Sequence, residues 1–232
     1  MVQAVAEGGI ITFNCGKNPV TILMTATANV ANTEHSVVLD GGGLVTLSGG
    51  GQRRILFSDT CAGTWSTKDC VSQPYPQIVV QNITFEHGLN VTHQIACTAN
   101  APQCWYGGVN GGGAIYAEGG QFKAVNSSFV DNQCYRYGPD LGGGAIRVLA
   151  QYQSSPVYIT SDTFTVDRCS NGGALVSVVV GGVGRCGWCR WLWMVSVVVR
   201  GVGGWWRVVV IGGRGGFGRG RGAVGGGGCP RG

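Results

Sequence analysis

Charge is scarce in this chain. Asp, Glu, Lys and Arg make up 12% of its 232 residues, about half the usual share of a globular domain, which is roughly 25%. Acid is missing altogether from residues 176–232, which hold eight Arg and no Asp or Glu. Residues 1–175 therefore carry 8 basic against 11 acidic groups, and the net charge of +5 combines −3 with +8. That asymmetry excludes a uniformly basic nucleic-acid binder. Long apolar runs are also missing: the most apolar region, Val176 to Ile211, is cut by Arg185, Arg190, Arg200 and Arg207, so no transmembrane segment is expected. Met1–Gly9 has neither the basic start nor the apolar core of a secretory signal. Helical periodicity is nowhere sustained.

Cysteine and glycine are abundant instead, at 10 and 43 residues. Ten Cys argue for an oxidising compartment. With no signal peptide in view, the expectation is an extracellular or cell-surface protein whose beginning is absent from this chain.

Recurrence is the strongest signal. GGGAI stands at Gly111–Ile115 and Gly142–Ile146, and NGGAL at Asn171–Leu175; the spacing is 31 from Gly113 to Gly144 and 30 from Ala145 to Leu175. A second phrase alternates with it: VVQNITFEHG, KAVNSSFVDN and YITSDTFTVD, aligned on Phe85, Phe129 and Phe164. Two phrases recurring in fixed order predict a repeat protein. The apolar stretches are short and β-branched, and each ends in Gly, Asn, Asp or Ser, which tolerate positive φ or bond their own backbone. Such a chain can wind so that strands of successive turns stack in parallel, with equivalent residues about 4.8 Å apart. Phe then stacks on Phe inside, and Asn on Asn at a corner.

The cysteines fit that register. Cys134 and Cys169 each lie five residues past a repeat Phe, so stacking brings their Cα atoms within disulfide range. Cys61 with Cys70, and Cys97 with Cys104, bracket short polar loops and read as loop-closing bridges. The alternative for all of these is a set of buried or free thiols.

GGIITFNCGKNPVTI (Gly8–Ile22), VVLDGGGLVTLSGGG (Val37–Gly51) and the GGAI and FxxN phrases resemble the secreted bacterial right-handed parallel β-helix proteins. These form the pectin-lyase-like superfamily and are akin to polymorphic outer-membrane protein repeats. The likeness covers about residues 3–175. It implies an all-β fold, a right-handed parallel β-helix or solenoid, here incomplete. Relatives of this kind have a signal peptide and a short N-terminal cap with a Cys before the first strand, which implies that Cys15 has lost a partner. A stack of five or six turns without either end cap leaves open strand edges, so poor solubility is expected.

The resemblance stops at Leu175. Residues 176–232 comprise 19 Gly, 14 Val, 8 Arg, 5 Trp and 3 Cys among 57 residues, with no Asn, Gln, Thr, Lys, His or Tyr. The expected domains are thus a β-helix over 1–175 and a low-complexity tail over 176–232, read as disordered or aberrant, out-of-frame translation. GGRGGFGRGRG (Gly212–Gly222) resembles an Arg-Gly-rich nucleic-acid segment, and CGWC (Cys186–Cys189) has half of a zinc or redox spacing. Nucleic acid becomes a partner only if that tail is expressed as written.

Two functions compete for residues 1–175. Polysaccharide lyases and glycoside hydrolases on such scaffolds need clustered acids, whereas Asp131, Asp140, Asp162, Asp167, Glu86 and Glu118 are scattered one or two per turn; Asp131 and Asp167, in nearby register, could share a face but read as corner turn residues. His87 lies in Phe-Glu-His-Gly, outside the polygalacturonase motifs; His35 and His93 read as surface histidines, and alternation turns Arg147 outward to solvent. Glu118 and the aligned Asn carry oxygens suited to Ca²⁺, but no loop repeats them densely, so no catalytic, metal or cofactor-binding residue is assigned. Asn82, Asn90 and Asn126 match the glycosylation pattern, the first and last already explained by the corner. The second function is a binding or structural surface, with Trp65, Trp105, Tyr106, Tyr135 and Tyr137 as loop aromatics able to stack on sugars or anchor a cell-surface protein. The favoured reading is a non-catalytic secreted or cell-surface protein with an adhesive, glycan-binding or structural role.

Overall fold

A computed structural model describes residues 1–31, 35–61, 70, 73–90, 111–134, 142–149, 151–169, 173–178, 198–201 and 204–207. After an opening helix, α1 (Val2–Glu7), the chain is almost wholly strand: β1 (Gly9–Thr12), β2 (Val20–Leu23), β3 (Ala28–Asn29), β4 (Ser36–Ser48), β5 (Leu56–Asp59), β6 (Gln77–Glu86), β7 (Leu89–Asn90), β8 (Ile115–Glu118), β9 (Gln121–Val125), β10 (Ser128–Val130), β11 (Gln133–Cys134), β12 (Ile146–Leu149), β13 (Tyr158–Thr160), β14 (Thr163–Thr165), β15 (Leu175–Val178), β16 (Val198–Gly201) and β17 (Gly204–Arg207).

Three ladders hold most of these strands, and all pairs in them are parallel; β7 and β11 form a separate parallel pair. The first joins β1, the start of β4, the start of β6, then β9 and β13. The second joins β2, the end of β4, the end of β6, then β10 and β14. The third joins β3, β5, β8, β12 and β15. The chain visits the ladders in that order and returns to the first each time. Parallel strands cannot be joined by a tight hairpin, and here the strands of the other two ladders form the connection. The expected all-β class is thus present, as are two of the three expected disulfides, Cys61–Cys70 and Cys134–Cys169.

Alternation puts one set of side chains of each ladder inside. Leu39 and Val80 of the first ladder are fully buried, as are Leu47 and Phe85 of the second and Leu56, Ile115 and Ile146 of the third. They belong to one continuous apolar core. The Phe alignment holds residue for residue, Phe85 with Phe129 and Phe129 with Phe164. The GGAI alignment shifts by one: Ile146 pairs with Leu175, 29 residues on, because Ala174 and not Leu175 is the partner of Ala145.

Corners between ladders are left-handed and stacked as well. Asn82, Asn126 and Ser161 take φ of 50°, 49° and 59°, three residues before each Phe; His87, Asp131 and Val166 take 48°, 48° and 61°, two residues after it. Side chains knit the first column, with Asn126 Nδ2 donating to Asn82 Oδ1 at 2.8 Å and Asn82 Nδ2 to Asp40 Oδ1 at 3.1 Å. The GGGAI motif has its own corner. Gly112 and Gly143 lie at φ 60° and 72°, and a Cβ there would stand 2.2 Å and 1.9 Å from the carbonyl oxygens of Ile115 and Ile146, so only glycine fits.

The opening helix packs on part of one end of the stack. Val5 of α1 is fully buried and joins the core with Met1 and Val2 packed beside it. The helix thereby covers the β3 end of the third ladder, because β-strand edges there would otherwise present apolar side chains to water. The outer faces of β1 and β2 stay open, with Ile10 at 78% and Leu23 at 64% exposure. At the other end β15 keeps the ladder register through Val178. Within the tail, β16 and β17 form an antiparallel pair.

Candidate functional site

The outward positions of the third ladder hold the densest group of charged and aromatic side chains among the described residues. Phe57, Tyr116 and Arg147 share one register, and Asp59, Glu118 and Leu149 share the register two residues on. Equivalent residues on neighbouring parallel strands lie about 4.8 Å apart, close enough for rings to stack. Phe57 and Tyr116 do so, with centroids 5.4 Å apart and planes 21° from parallel.

Arg54, which enters from the turn before β5, lies over both rings at 5.2 Å and 5.1 Å from their centroids. Its Nε donates to the Gly112 carbonyl at 2.9 Å and its Nη2 to the Gly111 carbonyl at 2.7 Å. The planar fork is what permits two bonds and a ring contact at once. Burial pulls the Arg54 guanidinium down to about 10, with neighbouring Arg147 acting in the same direction; it remains charged at neutral pH. The Tyr116 hydroxyl donates to Glu118 Oε2 at 2.6 Å. Burial, and after it the Glu118 charge, pushes the Tyr116 phenol far above its ordinary range. Tyr116 is therefore a fixed donor at neutral pH and no base.

Asp59 closes the group. Its Oδ1 accepts from the Cys61 backbone N–H at 2.8 Å, and burial raises its carboxyl. The Thr60 hydroxyl donates to the Cys70 and Glu118 carbonyls, tying the Cys61–Cys70 disulfide to β8. The arrangement holds two cations, a phenol and two carboxyl groups on one face, locked by backbone bonds.

Two sequence expectations change here. Arg147 does point outward by alternation, yet it is 5% exposed, because Gly111 lies against its side chain; it is a buried cation and not a solvated one. Asn90 is also buried, so its side chain does not present a free amide at the surface. Arg54 was not legible as a site residue. The signal that could have exposed it is the alignment of ILFSD with AIYAE, which stacks Phe57 on Tyr116 of the next turn.

The other expected residues are placed as follows. Trp65, Trp105, Tyr106, Tyr135, Tyr137, the Cys97–Cys104 pair, Asp140 and His93 lie outside the described residues. Cys134 and Cys169 form a disulfide with Cα atoms 4.8 Å apart, and Cys15 is an exposed free thiol. His35 is exposed. His87 stands 3.8 Å from both Glu86 and Asp131 carboxylate oxygens on a half-exposed corner. Asp40 accepts from Gly42 N, Gln81 and Asn82, which holds its carboxyl below the usual range, the Gln81 bond most of all. Asp162 accepts from Ser127 N and Thr160 N, and Asp167 from Asn132.

Among the described residues no three His, Cys, Asp or Glu gather to hold a metal ion, and no helix is long and apolar enough to cross a membrane. Comparison with protein-family models, curated proteins and solved structures finds no match to this chain.

Proposed function

We propose that this chain is a right-handed parallel β-helix of the pectin-lyase-like kind, and that it serves as a non-catalytic scaffold on the cell surface or outside the cell, adhesive, glycan-binding or structural. The cyclic order of three parallel ladders in constant register supports the first half. The second half is carried by one observation: Asp40, Asp59, Asp162 and Asp167 each accept a backbone N–H. A carboxylate committed to a backbone turn is not placed to exchange protons with a sugar.

The test uses the recombinant 232-residue chain against immobilised and soluble acidic and neutral glycans. Retention on a glycan with no product is expected. Unsaturated sugars absorbing in the ultraviolet would establish a lyase, and new reducing ends a hydrolase; either overturns the non-catalytic reading.

A further inference from the structure

Three residues past each repeat Phe stand Gly88, Asn132 and Asp167, one above another on successive turns. The bonds repeat down this column. Gly88 N–H donates to Asn132 Oδ1 at 2.9 Å, and Asn132 N–H donates to Asp167 Oδ1 at 2.8 Å. Asn132 has a second arm: its Nδ2 donates to the Phe85 carbonyl at 3.0 Å and to Asp167 Oδ1 at 2.9 Å. The amide thus reaches back to the Phe of the turn below and sideways to the next member.

Asp167 repeats that geometry with one atom changed. Its Oδ1 does what Asn132 Oδ1 does. Its Oδ2 takes the place of the amide nitrogen, and it is buried without a hydrogen-bond partner. By the register that pairs Phe129 with Phe164, the group corresponding to the Phe85 carbonyl is the carbonyl of Phe129. A carboxylate oxygen has no proton to offer that carbonyl, and a buried acceptor left without a donor is costly.

We propose that Asp167 is a pH-sensitive latch: in the closed corner it is the neutral acid, donating through Oδ2–H to the turn below as Asn132 does through Nδ2, and its ionisation loosens the corner. The corner matters because it leads directly into Arg168, whose N–H and carbonyl bond Asn132 and Cys134, and into the Cys134–Cys169 disulfide. Release of the latch therefore frees the last described turn while the disulfide keeps it tethered.

The nearest charge acts in the same direction. Asp131, at the end of β10, is the like charge facing it; His87 lies beyond, against Asp131. Arg168 follows in the chain and is exposed, and Gly173, which approaches from the next turn, has no charge. Burial first, and then Asp131, lifts the Asp167 carboxyl to about 7, against the two bonds from Asn132 and a weaker pull from the Thr165 backbone N–H, which lower it; the Thr165 N–H makes no full hydrogen bond to Oδ2. The sign follows: the folded form holds its proton where the unfolded Asp, at about 4, has lost it, so stability falls as pH rises from about 4 to about 7 and is level above.

Asp162 supplies the contrast. Burial raises it too, to about 6, but both of its oxygens accept backbone N–H bonds, so an amide there would lose an acceptor.

The experiment is thermal unfolding of the full chain, Asp167→Asn and Asp162→Asn across pH 4 to 9. Asp167→Asn is expected to raise Tm by a few degrees at pH 8, to leave it little changed at pH 4 and to flatten the profile between; Asp162→Asn is expected to lower Tm. Infrared spectra at pH 6 should show a protonated carboxyl band that Asp167→Asn weakens, Asp162 supplying what is left. An unchanged profile, a lower Tm at pH 8 for Asp167→Asn, or no such band overturns the proposal.

Discussion

The ring of Phe129 lies on that of Phe164 with centroids 4.9 Å apart and planes 11° from parallel, and on its other side Phe85 stacks at 5.3 Å and 5°. All three are buried. Phe129, with a neighbour on each side, is the middle of a column that only parallel in-register strands can build. Phe129→Ala is expected to cost about 3–5 kcal/mol, by lost burial plus a cavity the two flanking rings cannot fill. Urea unfolding checks this, and Phe129→Leu should lose less.

Val166 is a β-branched residue held at φ 61° and 45% exposed. Its counterparts two residues past the other repeat Phe are His87 and Asp131, and left-handed backbone disfavours Val because Cβ crowds the carbonyl. Val166→Asn should stabilise by about 1 kcal/mol, since Asn visits that region readily. A denaturation midpoint that falls would contradict the strain.

Arg54 holds two glycine carbonyls and two aromatic faces together. Arg54→Lys keeps the charge but not the fork, and is expected to lose about 2 kcal/mol by stranding a buried carbonyl. Arg54→Met should lose about as much or more, leaving both carbonyls unmet. Amide exchange at the Gly111–Ile115 corner is the local readout, and it should rise in both variants.

The two disulfides close loops of different length, 9 residues for Cys61–Cys70 and 35 for Cys134–Cys169. Chain entropy makes the longer one worth about 4 kcal/mol and the shorter about 2.5. Paired Cys→Ser variants should therefore differ by about 1 kcal/mol in unfolding free energy, the Cys134–Cys169 variant being the weaker.

Residues 176–232 have no acid, no amide side chain and no Tyr. We expect coding DNA resequenced through this region to restore GGAI and FxxN phrases in another frame. Tail peptides detected by mass spectrometry in the natural source would instead make the Arg-Gly segment a real interaction module.

Much of the fold was legible because it repeats. A phrase that recurs with its Phe in step implies strands in step, and Phe85, Phe129, Phe164, the Asn82–Asn126 corner and the Cys134–Cys169 pair all follow from that one alignment. The ends were less legible. Nothing in MVQAVAE announces a six-residue helix, yet Val5 is buried against β3, because a short segment takes its conformation from the surface it covers rather than from propensity.

The candidate site divides in the same way. Sequence alone determined which residues alternate outward on a strand, and so turned Arg147 outward; the register that sets it beside Phe57 and Tyr116 comes from the structure. Only the tertiary structure decided that this face is buried, that Arg54 folds back from just before β5 to lie on it, and that Asp167 stands where Asn132 stands with a buried oxygen unmet. Local spacing sets the direction of a side chain through backbone geometry. Its solvation and charge depend on chain tens of residues away, brought against it only when the ladders close.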